Sequence, residues 1–71
     1  MNEKNGVRLR IIDILRKHPE GLTINEISSF LETSRVTIAK YVYGLLLEKI
    51  IRQRNIGPAK MCYLCDKYAK N

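Results

Sequence analysis

Hydrophobic residues recur at helical spacing over the first part of this 71-residue chain. Val7, Ile11 and Leu15 repeat every four residues, and this spacing predicts a first helix over about residues 5–17. Pro19 ends that helix, because the residue before a proline avoids the helical region. The polar residues that follow form a turn before the next apolar segment.

Two further helices are predicted after this turn. The run Thr23–Glu26 has the form of a capping box, in which the threonine and glutamate side chains bond each other's backbone amides. It predicts a short second helix that ends near residue 31. A new start signal follows at Thr33 or Ser34, and the apolar spacing after it predicts a third helix over about residues 34–47.

Beyond residue 50 the periodicity changes from helical to β-compatible. Two short segments, 50–54 and 60–65, flank a turn that contains Gly57 and Pro58, which is typical of a hairpin. Residues 66–71 form a polar tail with room for one helical turn. A lone hairpin is marginally stable in water, so it must pack on the helices. The predicted fold class is therefore α+β, mainly helical with a two-stranded hairpin, in a single domain over residues 1–71.

Length and apolar content narrow the classes of protein further. A chain of 71 residues and 8.3 kDa allows one small core rather than a large enzyme with a deep cleft. No unbroken apolar run approaches the ~20 residues of a membrane span, and no apolar core follows the N-terminal residues as in a secretory signal. We expect a cytoplasmic protein without membrane association, and no enzyme.

The net charge of +6 is concentrated in one part of the chain. The first 32 residues are balanced, whereas residues 33–60 carry six basic residues against the single acid Glu48. Such a segment indicates a polyanionic partner, most often nucleic acid. The six basic residues are Arg35, Lys40, Lys49, Arg52, Arg54 and Lys60.

The close succession of the second and third helices is typical of a helix-turn-helix. The segments Leu22–Leu31 and Thr33–Val42, then Lys49–Ile51 and Gly57–Leu64, resemble the winged helix-turn-helix of prokaryotic transcription regulators. The resemblance covers about residues 7–65. It implies three helices and a two-stranded wing, with the helix-turn-helix at about 23–47 and the wing at about 50–65. The Ile-, Lys- and Arg-rich composition suggests an archaeal source.

Two positions depart from the pattern of that family, and one matches it. Glycine is common in the family near Glu32 and again at Lys49, before the first wing strand, whereas neither residue is glycine here. Ser28 matches the small residue that lets the two helices approach. Gly44 lies inside the third helix, where a close contact with another helix would explain it.

The resemblance implies sequence-specific binding of double-stranded DNA and regulation of transcription, with the third helix in the major groove. The first residues of that helix would meet phosphates, its exposed face would read bases, and the wing would carry positive charge. Tyr41 has an alternative role at the edge of the core, and the wing cations could instead be solvated strand-edge residues. The implied DNA-binding residues are Thr33, Ser34, Arg35, Thr37, Lys40, Tyr41, Tyr43, Arg52, Arg54 and Lys60.

Cys62 and Cys65 have the CxxC spacing of some zinc and redox sites. Structural zinc needs four ligands, and the chain has two cysteines and one histidine. In an extended strand the two cysteines point to opposite faces. We therefore interpret them as structural residues, with Cys65 buried, and expect no metal and no cofactor; a redox switch or a metal shared across a dimer is the alternative.

Other functions remain open from the sequence. A winged helix can also serve as a protein docking module in a larger assembly. RNA binding is less favoured, because it relies on aromatic stacking and Phe30 is expected in the core. A homodimer is open as well, through Leu9 and Ile12 or through the segment Cys62–Tyr68. Nothing in the sequence indicates a small-molecule effector.

Overall fold

The computed structural model describes the backbone of residues 3–69 and the side chains of residues 6–68. This part of the chain contains four helices and three strands. No helix within it is long and apolar enough to cross a membrane. In chain order the elements are α1 (Glu3–Lys17), β1 (Leu22–Thr23), α2 (Ile24–Leu31), α3 (Arg35–Leu47), β2 (Ile51–Ile56), β3 (Ala59–Leu64) and α4 (Asp66–Ala69).

Side-chain caps fix where α2 and α3 begin. The amide of Glu26 donates to the Thr23 hydroxyl oxygen at 3.1 Å, and the Thr23 amide donates to a Glu26 carboxylate oxygen at 2.9 Å. The predicted capping box is therefore confirmed. Ser34 caps α3 by accepting from the Thr37 amide at 3.2 Å. These caps occupy amides that the first turn of a helix leaves without partners.

The sheet has one strand more than the sequence predicted. All three strands are antiparallel in the order β1–β3–β2, and the two residues of β1 pair with Cys62 and Met61 of β3. The α+β class is confirmed, but the predicted two-stranded hairpin lacks the third strand, β1. A strand of two residues is too short to show alternation of polar and apolar side chains in the sequence. Only its pairing with β3 in the folded protein identifies it. The predicted helical turn in the tail is α4.

The core lies where α1, α2 and α3 meet the inner face of the sheet. Each buried aliphatic side chain contributes ~1.5–3 kcal/mol relative to an exposed one. Phe30 is not among them: it is 55% exposed, and its ring lies 5.3 Å from that of His18. Its predicted place in the core was wrong, because Ile27 and Leu31 form the buried line of α2. The buried residues are Ile11, Leu15, Leu22, Ile27, Leu31, Ile38, Val42, Leu45, Ile50, Ile51, Cys62 and Leu64.

The two cysteines occupy different environments on and after β3, and neither forms a disulfide. Cys62 is fully buried, whereas Cys65 is half-buried, so the prediction of a buried Cys65 was wrong. Burial raises the pKa of the Cys62 thiol, although the Gln53 amide nitrogen at 3.6 Å from the sulfur opposes this rise. The thiol of Cys62 is therefore held protonated inside the core.

Both departures from the family pattern lie at left-handed backbone positions. Glu32, which ends α2, has φ 52°, and Lys49, just before β2, has φ 61°. Glycine adopts this conformation without the steric cost that a side chain brings. Gly44 shows the opposite case, because an added Cβ there would meet no atom within 4 Å. A close helix contact therefore does not explain the glycine at this position.

Candidate nucleic-acid interface

One line of side chains along α3 faces away from the core. Its members follow each other at intervals of four, three and four residues, as positions on one helical face do. Val36 is 75% exposed and Leu47 is 82% exposed, and Lys40 and Tyr43 lie exposed between them. The exposure of Lys40 and Tyr43 matches their predicted positions. Val36 and Leu47 were not predicted, although their spacing from Lys40 could have identified them.

The turn between α2 and α3 is held by hydrogen bonds that use predicted site residues. The Ser28 hydroxyl donates to the Thr33 carbonyl, and the Thr33 hydroxyl donates to the Leu31 carbonyl at 3.0 Å. The Ser34 hydroxyl donates to the Thr37 hydroxyl at 3.0 Å while it caps α3. The bonds of Ser28 and Thr33 therefore hold the turn, and those of Ser34 and Thr37 hold the first turn of α3. Ser28 was expected to let the two helices approach, and its hydroxyl also bonds directly to the Thr33 carbonyl.

The two tyrosines of α3 lie in different surroundings. Tyr41 is partly buried and packs against the core, whereas Tyr43 is exposed on the outward line. Tyr41 therefore occupies the core-edge position that its alternative interpretation described. Of the two tyrosines, Tyr43 is the exposed one and lies beside Lys40 on the outward line.

The three predicted wing cations do not share a face of the sheet. Alternate residues of a strand point to opposite faces. Gln53 pairs with the buried Cys62, so both residues lie on the face of the sheet toward α3. Lys60 is two residues from Cys62 on β3 and therefore lies on the same face. Arg52 and Arg54 pair with Tyr63 and Met61 on the outer face. The sequence did not separate these three residues, because the register of the hairpin decides the face.

Lys60 and Arg35 line one open cleft between α3 and the wing. Asn25, at the start of α2, and Pro58, in the wing turn, also line it. Arg52 lies elsewhere, with its guanidinium carbon 5.6 Å from the centroid of the Tyr63 ring. The structure thus brings Arg35 and Lys60 together, and it sets Arg52 apart from them.

The basic residues of this region have no acidic partners among the described side chains. The one acid in residues 33–60, Glu48, is held by Arg8 of α1 through two hydrogen bonds of 2.6 and 2.8 Å. The bonded Arg8 guanidinium lowers the pKa of the Glu48 carboxyl. None of the ion pairs found within residues 6–68 includes Arg35, Lys40, Lys49, Arg52, Arg54 or Lys60. Their charges remain available to a polyanion.

Comparison with known proteins identifies the fold. The sequence matches no protein-family model and no curated protein. Reduced HlyU from Vibrio cholerae superposes with a TM-score of 0.79 at 23% sequence identity, covering 90% of this chain and 65% of that chain. MepR, described as a transcription regulator of the Staphylococcus aureus multidrug efflux pump MepA, superposes with a TM-score of 0.80 at 24% identity, covering 99% of this chain and 50% of that chain.

The chain spans about two thirds of the length of HlyU and half the length of MepR. Both organisms are bacteria, so the comparisons give no support to an archaeal source. At this level of identity the likeness concerns the arrangement of helices and strands. The chain therefore has the winged helix-turn-helix fold that its sequence resemblance implied.

Proposed function

We propose that the protein binds double-stranded DNA through α3 and regulates transcription. The observation that carries this proposal is the set of six basic residues around α3 and the wing that have no acidic partner within the described residues. An uncompensated basic surface beside an exposed helix suits the phosphate backbone on either side of a major groove. The helix-turn-helix at about 23–47 and the wing at about 50–65 are the units of this proposal.

The surroundings of each side chain suggest its part. Lys40 and Tyr43 project from the outward line of α3, where they would meet phosphate or base edges. Arg35 and Lys60 line the cleft between α3 and the wing, where they would supply two neighbouring positive charges to the phosphate backbone. The hydroxyls of Thr33, Ser34 and Thr37 serve the turn and the cap of α3. The Thr33 amide donates to the Ser28 carbonyl and the Thr37 amide to the Ser34 hydroxyl, so these residues would support DNA binding mainly by holding α3 in place.

Arg52, Arg54 and Tyr41 receive smaller parts. Arg54 lies near the wing turn, from which a long side chain can reach a backbone phosphate. Arg52 stacks on Tyr63 farther from the turn, and Tyr41 packs on the core. We assign both mainly to the fold.

The shared fold with MepR, described as a transcription regulator, supports regulation as the purpose of DNA binding. A protein bound across a promoter excludes polymerase, and this exclusion would need no part beyond the domain described. A homodimer stays a prediction. Of the two α1 residues considered for it, Leu9 is exposed, whereas Ile12 packs against the core.

The test is binding to a random-sequence duplex of about 30 base pairs over a salt series, with Lys40→Ala and Lys17→Ala as a matched pair. Each substitution removes one lysine charge from an exposed helix position. Lys17 already pairs with Asp13 at 3.3 Å. We expect Lys40→Ala to weaken binding and to reduce the slope of log K against log salt by ~0.9, while Lys17→Ala matches the wild type. Equal behaviour of the two variants would contradict the placement of α3 in the groove.

A protein docking module is the second candidate, and the apolar exposure of Val36 and Leu47 on α3 favours it. Large exposed apolar side chains are common at protein interfaces. This candidate predicts no binding to the duplex even at about 10 mM salt, where phosphate contacts are strongest. It also predicts loss of partner binding on Leu47→Ser with no change on Lys40→Ala.

A further inference from the structure

We propose that the N-terminal half of α3 recognises the 5-methyl group of thymine, with Val36 as the residue that determines this specificity. The inference rests on the proposed function and adds to it the kind of base that is read. It follows from an apolar depression between α2 and α3 that has Arg35 at its rim.

Val36 occupies the position from which a recognition helix reaches base edges. It is the second residue of α3 and is 75% exposed, on the same outward line as Lys40. The N-terminal residues of the second helix of a helix-turn-helix contact bases, while later residues approach the backbone. An exposed valine at this position offers two methyl groups and no hydrogen-bonding atom.

An open depression beside Val36 provides the matching surface. It is lined by Ile24, Arg35, Val36 and Ala39, so three of its four residues are aliphatic. Ile24 packs against the core and fixes one wall, and Arg35 supplies a cation at the rim. Thymine is the base that presents an apolar group in the major groove, and small aliphatic side chains are its usual partners. A guanidinium at the rim would hold the adjoining phosphate or base.

Few other side chains of α3 can read bases by hydrogen bonding. The helix contains no Asn, Gln, Asp or Glu, the residues that pair with adenine or cytosine edges. Arg35 also lines the cleft with Lys60, and the Thr37 hydroxyl accepts from Ser34. Arg35 and Lys40 can still contact guanine, and Val36 is the side chain of the outward line at this end of α3 that can read a base by apolar contact alone.

The experiment replaces thymine by uracil, which removes the methyl group and keeps the base pairing. Duplexes are first selected from a random pool, and the selected duplex is then synthesised with deoxyuridine at one thymine position at a time. We expect one or two positions per bound domain where uracil weakens wild-type binding about fourfold, the value for one buried methyl-sized group. Val36→Ser, which replaces the two methyl groups by a hydroxyl, should bind the thymine and uracil duplexes within about 1.5-fold of each other.

Two further variants separate methyl recognition from general weakening. Lys40→Ala should weaken binding to both duplexes equally and keep the thymine-to-uracil ratio. Leu47→Ala removes exposed apolar atoms at the C-terminal end of the same line and should keep the thymine-to-uracil ratio, whatever its effect on the affinity. Val36 and Leu47 lie outside the core, so both variants are expected to fold, which thermal unfolding checks.

The outcomes that overturn the proposal differ from those that overturn DNA binding. Equal wild-type affinity for thymine and uracil at every position, or a ratio unchanged by Val36→Ser, would refute methyl recognition and leave DNA binding standing. An absence of binding to any duplex at about 10 mM salt would refute both.

Discussion

The charged residues of α1 and those of the α3–wing region behave differently, although both regions are rich in Lys and Arg. On α1, Arg8 is bound to Glu48, Arg16 and Lys17 lie by Asp13, and Arg10 donates to the Leu31 carbonyl at 3.1 Å. In residues 33–60, no ion pair with a basic residue of the segment is found among the described side chains.

This difference shows that the partner of an acidic side chain matters as well as the number of acids in a segment. Glu48 is the single acid of residues 33–60, and its bond to Arg8 removes it as a partner for the cations of its own segment. The same bond ties α1 to the end of α3. The charges of α1 therefore help to position the helices, while those of α3 and the wing keep the field that attracts a polyanion.

The largest effect is expected where the turn after α1 meets the sheet, because a change there disturbs both regions. Gly21 has φ +94°, and a Cβ at this position would lie 2.7 Å from the Cε2 atom of the Tyr63 ring. We expect Gly21→Ala to lower the free energy of unfolding by about 3 kcal/mol, from overpacking and backbone strain together. Urea unfolding followed by circular dichroism measures it.

Gly57→Ala is the control for that prediction. Gly57 has φ +59°, but an added Cβ there would meet nothing within 4 Å. Only the backbone cost of about 1 kcal/mol then applies. A loss at Gly21 no greater than that at Gly57 would show that the Tyr63 ring moves aside, and that the contact between the turn and β3 contributes little.

A smaller effect, on DNA affinity, is expected to differ between two cations of the α3–wing region. Lys60 faces α3 and lines the cleft with Arg35, whereas Arg52 lies on the outer face against Tyr63. We expect Lys60→Ala to weaken binding to a DNA duplex about fivefold at about 50 mM salt, and Arg52→Ala to weaken it less than twofold. Each variant removes one charge from a neighbouring strand. Equal losses, measured by fluorescence anisotropy, would mean that net charge alone governs binding.

The smallest effect concerns the bond between α1 and α3 and depends on pH. The hydrogen bonds from Arg8 lower the pKa of Glu48 in the folded protein. The stability that this bond adds is therefore present above the pKa of an unfolded glutamate, about 4.3, and is lost as pH falls through the lower folded pKa. Arg8→Ala should be slightly less stable than the wild type at pH 7 and equally stable at about pH 2.

Glu20→Gln is the matched control for the pH experiment. The pKa of Glu20 is also lowered, first by its own backbone amide and then by His18, so its removal changes acid sensitivity without touching Arg8. Thermal unfolding at a series of pH values compares the variants. A constant difference between Arg8→Ala and the wild type down to about pH 2 would show that the arginine acts by packing rather than by its charge.

The sequence by itself determined the helices, their caps and the location of the excess charge. Local hydrogen bonding and helical spacing decide these features, which is why the capping box at Thr23 and a helix start at Thr33 or Ser34 could be found from residue order; the structure has Ser34 as the cap. The resemblance added the fold, and the positions it marked as unusual, Glu32 and Lys49, are the left-handed ones.

Tertiary structure decided which side chains lie together. The register of β2 and β3 placed Lys60 beside α3 and Arg52 away from it. Pairing with β3 made a strand of two residues, and packing on the core turned Tyr41 inward and left Phe30 exposed. The partner of Glu48 is forty residues away on α1. Such contacts depend on how elements pack across the chain, and periodicity within one element contains no information about them.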